Sequence, residues 1–438
     1  MQPIRFKDLL INFTTEFDLL WNAKDSGADN AAAFWRPNTT ADSLNHFSSL
    51  GDVIASDYRT INNRKFVAVV SEADPVNGTA LRAPVGFNLV WKNAGKRTRT
   101  ECSVWKPVAP EGYVPMGMVF TIGYDKPTLN TVRCVRVDLV VDAYIGNPIW
   151  NDKGSGSYMD FSAWDIHTPD VEPGEAYIAT GTFYGADRWT RPSFGARPYA
   201  LRMELALQES ALPAPPAPLA PSETEASSHV CELPWFVVKD SNLTPFEQLR
   251  QSPFYRLERS DRYLPVGVGH NKTPQGKTFN WTARKGEAGD SSIDFTATTG
   301  IGLAYEWSPI TQPVIFSAHL NKSFTHTTQS AKGWGTTMPL EVAAYVPTSQ
   351  AVAAYVIRSE YRLYRQDGSQ LAATVSYING DTVYFSESSV SATEDDEQPP
   401  VVILPAEPDI VEEVPTIPSA ETVSEIMAHD LLDDTVLP

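Results

Sequence analysis

The sequence predicts an all-β protein: a pseudo-threefold β-prism, with a β-trefoil as the alternative, joined to an elongated antiparallel β-sheet. Three observations carry that expectation. The chain is built from short alternating segments rich in Val, Tyr, Phe and Trp, broken by Gly and Pro. No stretch carries a helical apolar stripe of adequate length. A unit of about 60–70 residues recurs three times in the first half, the mark of one structural unit used in triplicate.

The repeat is written in tryptophan. Trp21/Trp35, Trp91/Trp105 and Trp150/Trp164 are pairs fourteen residues apart. The first member opens WNAKDSGA, WKNAGKRT or WNDKGSGS, and the second sits in FWRPN, VWKPV or AWDIHTP. Downstream of each pair an aromatic precedes a glycine by four residues, at Phe47/Gly51, Tyr113/Gly117 and Tyr177/Gly181. FVAVVS (66–71), GFNLVW (86–91) and VRCVRVDLVV (132–141) read as strands. Units this long favour the prism over the trefoil, with a four-stranded sheet on each face. Trp at fixed spacing suits a bulky core anchor, although aromatic faces beside Asp and Asn also suit sugars. The loops after each first Trp fall at equivalent places around the axis. Asp25, Ser26, Gly27, Gly95, Lys96, Gly154, Ser155 and Gly156 are therefore the candidate receptor-binding residues, since symmetric loops on a rigid scaffold support multivalent contact.

The rest of the chain divides by composition. Residues 1–207 are the repeat body, and 208–228, QESALPAPPAPLAPSETEASS, read as a semi-extended linker. Residues 229–390 are again β, with longer strands. Asn379-Gly380 between two alternating runs signals a type I′ hairpin, and Val346-Pro347 breaks another long run. Residues 391–438 are an acidic tail expected to be disordered, apart from a short helix near SAETVSEIMAHDLL. That tail holds thirteen acidic side chains and no Lys or Arg, so it supplies most of the net charge of −18. The remainder is nearly balanced and carries no basic stripe, which argues against nucleic acid as a partner. Three scattered cysteines do not make a disulfide framework; a Cys102–Cys134 bridge is the alternative to reduced core thiols. The N-terminus lacks a secretory signal, and no apolar run approaches the roughly 20 residues of a spanning helix. The chain is expected to be soluble when made and to act outside its cell, leaving by a non-classical or lytic route.

One segment suggests an activity. In SIDFTATTGIGLAYEW (292–307) the odd positions Ile293, Phe295, Ala297, Ile301 and Leu303 alternate with Ser, Asp, Thr and Gly. A second alternating run follows the short connector SPITQP, with Phe316 and Leu320 on one side, before Ser/Thr-rich SFTHTTQS. Such alternation far exceeds a usual strand of about 5–6 residues and meets the about 9–11 needed to cross a bilayer as a tilted strand. The expectation is a membrane-inserting hairpin over 292–326, with those seven residues facing lipid. Backbone groups in lipid must be satisfied, so it would insert only as part of a multi-subunit barrel. The plain alternative is an ordinary hairpin of an antiparallel sandwich.

The first half resembles the vacuolar protein sorting-associated protein 62 family over about residues 10–205. The matching residues include FTTEFDLLWNAKDSGADNAAAFWRP, SLGDVIASDY, LVWKNAG, VWKPVAPEGYVPMGMV, VRCVRVDLV, IWNDKGSGSYMDFSAW and GTFYG. The family name implies no reaction, but bacterial proteins of this kind include insecticidal proteins. The second half resembles the aerolysin-type pore-forming domain in its long alternating strands, Ser/Thr-rich hairpin and Val346-Pro347 break. What the resemblance implies is an insecticidal β-pore-forming toxin that binds a surface glycan or protein receptor, forms a homo-oligomer on activation and inserts its hairpin. A second toxin component is left open, and the tail would be a segment removed on activation. A non-lytic peptide- or glycan-binding adaptor is the other reading.

Nothing supports catalysis. The seven histidines show no HExxH or paired metal spacing, and GxSxG, Walker and dinucleotide motifs are missing from the sequence. His319 and His326 lie seven apart on a predicted strand and read as a solvated face. No cofactor and no metal are expected.

Overall fold

The computed structural model describes residues 2–95, 100–193, 195, 197–218, 224–286, 291–301, 316–321, 324 and 338–389. It is nearly all β, in antiparallel sheets and without a closed barrel among the described residues. Residues 394–438 form a unit apart from 1–393, and the expected tail helix lies outside the described residues.

Each repeat divides its strands between two sheets rather than forming the single four-stranded one expected, and one of the two is a three-stranded sheet that carries the Trp pair. The sheets are Phe17–Asn22, Ala33–Pro37 and Val53–Ala55; Gly86–Lys92, Cys102–Val108 and Val119–Ile122; and Tyr144–Asn151, Ser162–His167 and Tyr184–Ala186. The first strand carries the first Trp and the middle strand the second. All three have the same irregularity. Leu19 faces Trp35 and Trp21 faces Phe34, with Leu20 as the extra residue. Leu89 faces Trp105 and Trp91 faces Val104; Pro148 faces Trp164 and Trp150 faces Ala163. An inserted residue bends a strand and re-aims its side chains, and here it sorts the tryptophans into two tiers.

The first tier meets on the pseudo-threefold axis. Buried Trp91 and Trp150 and half-buried Trp21 pack with Phe34, Phe120 and Phe161. Ring centroids are 6.3 Å apart for Trp91–Trp150 and 6.4 Å for Trp21–Trp150. The second tier faces outward, Trp35 against Phe17 and Val53, Trp105 against Phe87 and Val119. Core anchoring is thus the role of most of these rings.

The repeated glycines close the threefold. A Cβ on Gly51 would lie 3.0 Å from the backbone of Gly117, one on Gly117 would lie 2.6 Å from Thr182, and one on Gly181 would lie 3.0 Å from Val67. Each repeat passes against the next at the same point, where side chains do not fit. Hydrogen bonds follow the same circuit: Asp52 N–H to Met118 O at 2.8 Å, Thr182 Oγ1 to Met116 O at 2.8 Å, and Ala68 N–H to Thr180 O at 3.0 Å.

The expected strand over 132–141 is interrupted. Cys134–Arg136 and Val140–Asp142 join different sheets across a 3₁₀ turn at Val137–Leu139. Cys102, Cys134 and Cys231 are buried free thiols, so the Cys102–Cys134 bridge is not formed.

The second half is dominated by a five-stranded sheet in the order Leu207–Glu209, Thr224–Pro234, Phe254–Asn271, Gln350–Arg365 and Val375–Ser389. Its longest strand has 18 residues, in line with the elongated sheet expected. A separate hairpin pairs Lys277–Lys285 with Met338–Val346. Part of the expected linker is strand, since Leu207 pairs with Cys231 and Glu209 with His229. Asn379-Gly380 is not a turn. Both residues lie inside Val375–Ser389, at an irregularity where Gly380 approaches the Lys285 side chain too closely for a Cβ. The two halves share one apolar core, in which Ile11 and Phe13 join Trp235, Phe236 and Leu257.

Candidate functional site

Two regions hold the candidate residues. The first is the segment between the strands of the Lys277–Lys285/Met338–Val346 hairpin. Its described parts do not form the expected ribbon. Ser291–Thr299 is an α-helix, closed by Gly300 at φ +72°, whose N–H donates to Thr296 O at 2.8 Å. A helix wins over the period-two pattern because Phe295 and Thr299, four apart, fall on one helical face and are both buried. Thr299 Oγ1 turns back to Phe295 O at 2.7 Å and receives Ile301 N–H at 3.1 Å.

The second arm is a strand, but its partner is elsewhere. Phe316–His319 pairs with Glu175–Ile178 of the repeat body, Ala318 opposite Ala176, as the edge strand of its sheet. Phe316 stacks on Phe236 with centroids 4.5 Å apart, and lies 5.7 Å from Phe13. Of the seven expected lipid-facing residues, Phe295, Ile301, Phe316 and Leu320 are buried together in the shared core. Ala297 is exposed on the helix. The Ile293 side chain and Leu303 lie outside the described residues, as does His326.

The second region is the end of the axis, where the three post-Trp loops meet. They are not free and symmetric fingers. The third loop is wedged between the other two. On one side Asp29 N–H donates to Lys153 O at 2.7 Å, and a Cβ on Gly154 would lie 2.2 Å from the Asp29 carboxylate. On the other side Gly95 bridges to Ser157, Tyr158 N–H donates to Ala94 O at 2.8 Å, and a Cβ on Gly95 would lie 2.3 Å from Gly156 O. Lys96 lies outside the described residues.

Asp152 organises the third loop. Its carboxylate accepts from the indole N–H of Trp91 at 3.0 Å, of Trp189 at 2.7 Å, and from Phe161 N–H at 2.8 Å. Burial pushes its pKa up, and the hydrogen bonds only partly offset that. This residue was readable as the position that differs in each repeat, Ala23, Asn93 and Asp152, directly after the Trp dipeptide. Trp189 has no counterpart in the motif and no sequence signal.

Between the first and second loops a cavity of about 400 Å³ opens. Trp21, Trp91 and Trp150 line it together with Asn22, Asp25 and Ser26 of the first repeat. The second repeat adds Asn93, Thr100 and Ile122, and Ser155 reaches it from the third. The Trp91 and Trp150 N–H groups are engaged by Asp152, Met159 O and Asn30 O.

No helix among the described residues is long and apolar enough to cross a membrane, and none of their His, Cys, Asp and Glu side chains cluster in threes to hold a metal ion. No curated protein matches the chain. Among solved structures, GNIP1Aa from Chromobacterium piscinae is similar at 25% identity and TM-score 0.37, over 43% of this chain. The chain spans about a third (34%) of that protein's length. Cry35Ab1 is similar at 9% identity and TM-score 0.33, over 88% of this chain and 90% of that one. Residues 2–206, the three Trp repeats and little else, match the model of the vacuolar protein sorting-associated protein 62 family.

Proposed function

We propose that this chain is a β-pore-forming toxin, insecticidal in its use, whose repeat body recognises a cell surface and whose segment 286–337 unfolds from its storage site into a membrane-crossing hairpin. One observation carries the reading. The hairpin from Lys277 opposite Val346 to Lys285 opposite Met338 has its apolar side chains on one face: Phe279, Trp281 and Ala283 with Ala344, Val342 and Leu340. Continued in the same register, Leu303 falls opposite Leu320, Tyr305 opposite Ala318 and Trp307 opposite Phe316. The turn then falls at Thr311-Gln312, inside SPITQP. Directly opposed residues share a face, so both apolar arms extend the existing apolar face without a change of parity.

The arms have the length required. Stretches 299–309 and 314–324 each match the about 9–11 residues that cross a bilayer as a tilted strand. The other face is small or polar except for Ile315 beside the turn, with Gly300, Gly302, Ala304 and Glu306 against Ser317, His319 and Asn321. Lys322 is the exception on the apolar face, near enough to the base of its arm to reach the headgroups. One hairpin leaves open edges that lipid cannot satisfy, so several copies must close a barrel. Until then the apolar side chains need cover, and Phe295, Ile301, Phe316 and Leu320 have it in the shared core.

A reversible lock tests the reading. Ala176→Cys with Ala318→Cys, directly paired positions, ties the edge strand to the repeat body when oxidised. The oxidised protein is expected to leave dye-loaded target-cell vesicles intact, and reduction to restore leakage. Equal leakage from both forms contradicts the proposal. A protein that never permeabilises, reduced or oxidised, favours the adaptor reading.

A further inference from the structure

We infer that the loop end of the pseudo-threefold axis lies flat on an anionic bilayer surface, with Lys24, Lys92 and Lys153 on the headgroup phosphates. The inference rests on the reading that the repeat body recognises a cell surface, and it gives that surface its chemistry.

In each repeat a lysine ammonium stands over an aromatic ring. Lys24 Nζ lies 5.8 Å from the ring centre of Tyr58, Lys92 Nζ 5.2 Å from that of Tyr124 and Lys153 Nζ 5.2 Å from that of Trp189. The three rings hold equivalent places. Ala33 pairs with Ala55, Ser103 with Thr121 and Ser162 with Ala186, and each ring comes three residues after the second member of its pair. Across the same sheets Ala33 pairs with Asn22, Ser103 with Lys92 and Ser162 with Asn151, where the post-Trp loops begin. All three Lys–aromatic pairs therefore stand at one end of the axis. The lysine is three residues after the first Trp in WNAK and WNDK but one after it in WKNA. The pair persists although the residue that supplies it moves.

The chemistry of these corners names the partner. Tyr58 and Trp189 are each 41% exposed, and Lys24 and Lys153 are exposed beside them. Tyr and Trp have an apolar body and a polar tip, and Lys an apolar stem and a charged head; such side chains settle at the headgroup level of a bilayer. A ring face holds an ammonium in place while its N–H donors stay available to phosphate oxygens. The rings are themselves fixed, Trp189 N–H donating to Asp152 at 2.7 Å and Tyr124 Oη–H to Asn93 Oδ1 at 3.4 Å. Three equivalent points around one axis define a plane across it, which suits an extended surface better than one small ligand. Large apolar side chains left in water lie at the same end: Leu19, Ile122 and, on the third loop, Tyr158. The charge has the required sign. In sequence, residues 22–32, 56–59, 92–101, 123–126, 151–160 and 187–191 carry ten Lys and Arg against eight Asp and Glu, on a chain with 35 against 53. Of those eight, Asp57 pairs with Arg59 at 2.6 Å, Asp187 with Arg188 at 3.2 Å, and Asp152 is buried. This end is the basic exception on an acidic protein.

The test is sedimentation of the full chain with phosphatidylcholine vesicles, alone or with about a third phosphatidylserine, at low and high salt. Binding should rise about tenfold or more with phosphatidylserine and fall as salt screens the charges. Lys24→Gln, Lys92→Gln and Lys153→Gln should each weaken it about fivefold, the contribution of one charge near such a surface. Lys106→Gln is the control. It removes the same charge from a fourth pair, Lys106 Nζ 5.9 Å from Tyr184, placed along its strand away from the loop, and should leave binding unchanged. Indifference to phosphatidylserine overturns the inference. So does an equal loss with Lys106→Gln, or three loop variants that lower thermal stability but not binding, which would make the pairs clamps of the fold. Capture by sulfated or sialylated glycans of a protein that ignores anionic vesicles also overturns it. The oxidised Ala176→Cys/Ala318→Cys protein should bind these vesicles as the reduced one does. Lysine-dependent binding without leakage supports this surface and contradicts the pore. Leakage that none of the three loop variants weakens supports the pore and overturns this surface.

Discussion

At the scale of single residues, the three repeats act as internal controls for one another. The outward Trp105 donates its N–H to Ser103 Oγ at 2.9 Å, and Trp164 to Ser162 Oγ at 2.8 Å. In the first repeat the residue two before Trp35 is Ala33, and the Trp35 N–H is buried without a partner. A buried donor left unmade costs about 1–3 kcal/mol. Ala33→Ser supplies the missing oxygen in the geometry the other repeats already use. It should raise stability by about 0.5–1.5 kcal/mol, the net worth of one hydrogen bond, read as a higher urea midpoint at unchanged slope. A lower midpoint would mean the pocket around Ala33 is too tight for one more atom. The Ser/Ala difference is visible in the aligned motifs, but its meaning depends on which way the indole turns, and sequence does not show that.

Among the elements, period and punctuation were legible where local pattern and tertiary pairing agree. FVAVVS and GFNLVW became strands, and the repeated Phe/Tyr-x-x-x-Gly signal marked a real threefold contact. Asn379-Gly380 was misleading because the long pairing of Val375–Ser389 with Gln350–Arg365 outweighs one local turn preference. The alternation of 292–307 was misleading in a more informative way. In its described part, Phe295 lies on a helix and Ile301 directly after it, both in the shared core, so the same sequence carries a helical placement beside a strand pattern. Glycine gives the sharpest check at this scale. Gly117→Ala puts a Cβ into Thr182 and should cost about 1–3 kcal/mol as overpacking. Gly112→Ala, at φ +80° with open space around it, carries only the backbone strain of that conformation and should cost less. Thermal unfolding of the two variants compares them directly; equal losses would deny a tight junction at the axis.

Across the whole molecule, sequence composition suggested two bodies on a linker, whereas the structure gives one shared core. The reason is the return of Phe316–His319 to the repeat body, where it completes the sheet of Val140–Asp142, Tyr199–Glu204 and Glu175–Ile178. Pairing between segments about 140 residues apart leaves no mark in local pattern. The post-Trp loops show the same limit, since their positions were readable but the wedging of the third against the other two was not. An edge strand is held on one side only and can leave without breaking a sheet in two. In the proposed pore, 286–337 continues the register of the Lys277–Lys285/Met338–Val346 hairpin when it meets a membrane. Leu303→Cys with Leu320→Cys, opposite each other in that register, should form an intrachain disulfide only in the SDS-resistant oligomer on permeabilised vesicles. Linkage already complete in solution, or permeabilised vesicles in which position 303 never links to 320, would contradict it.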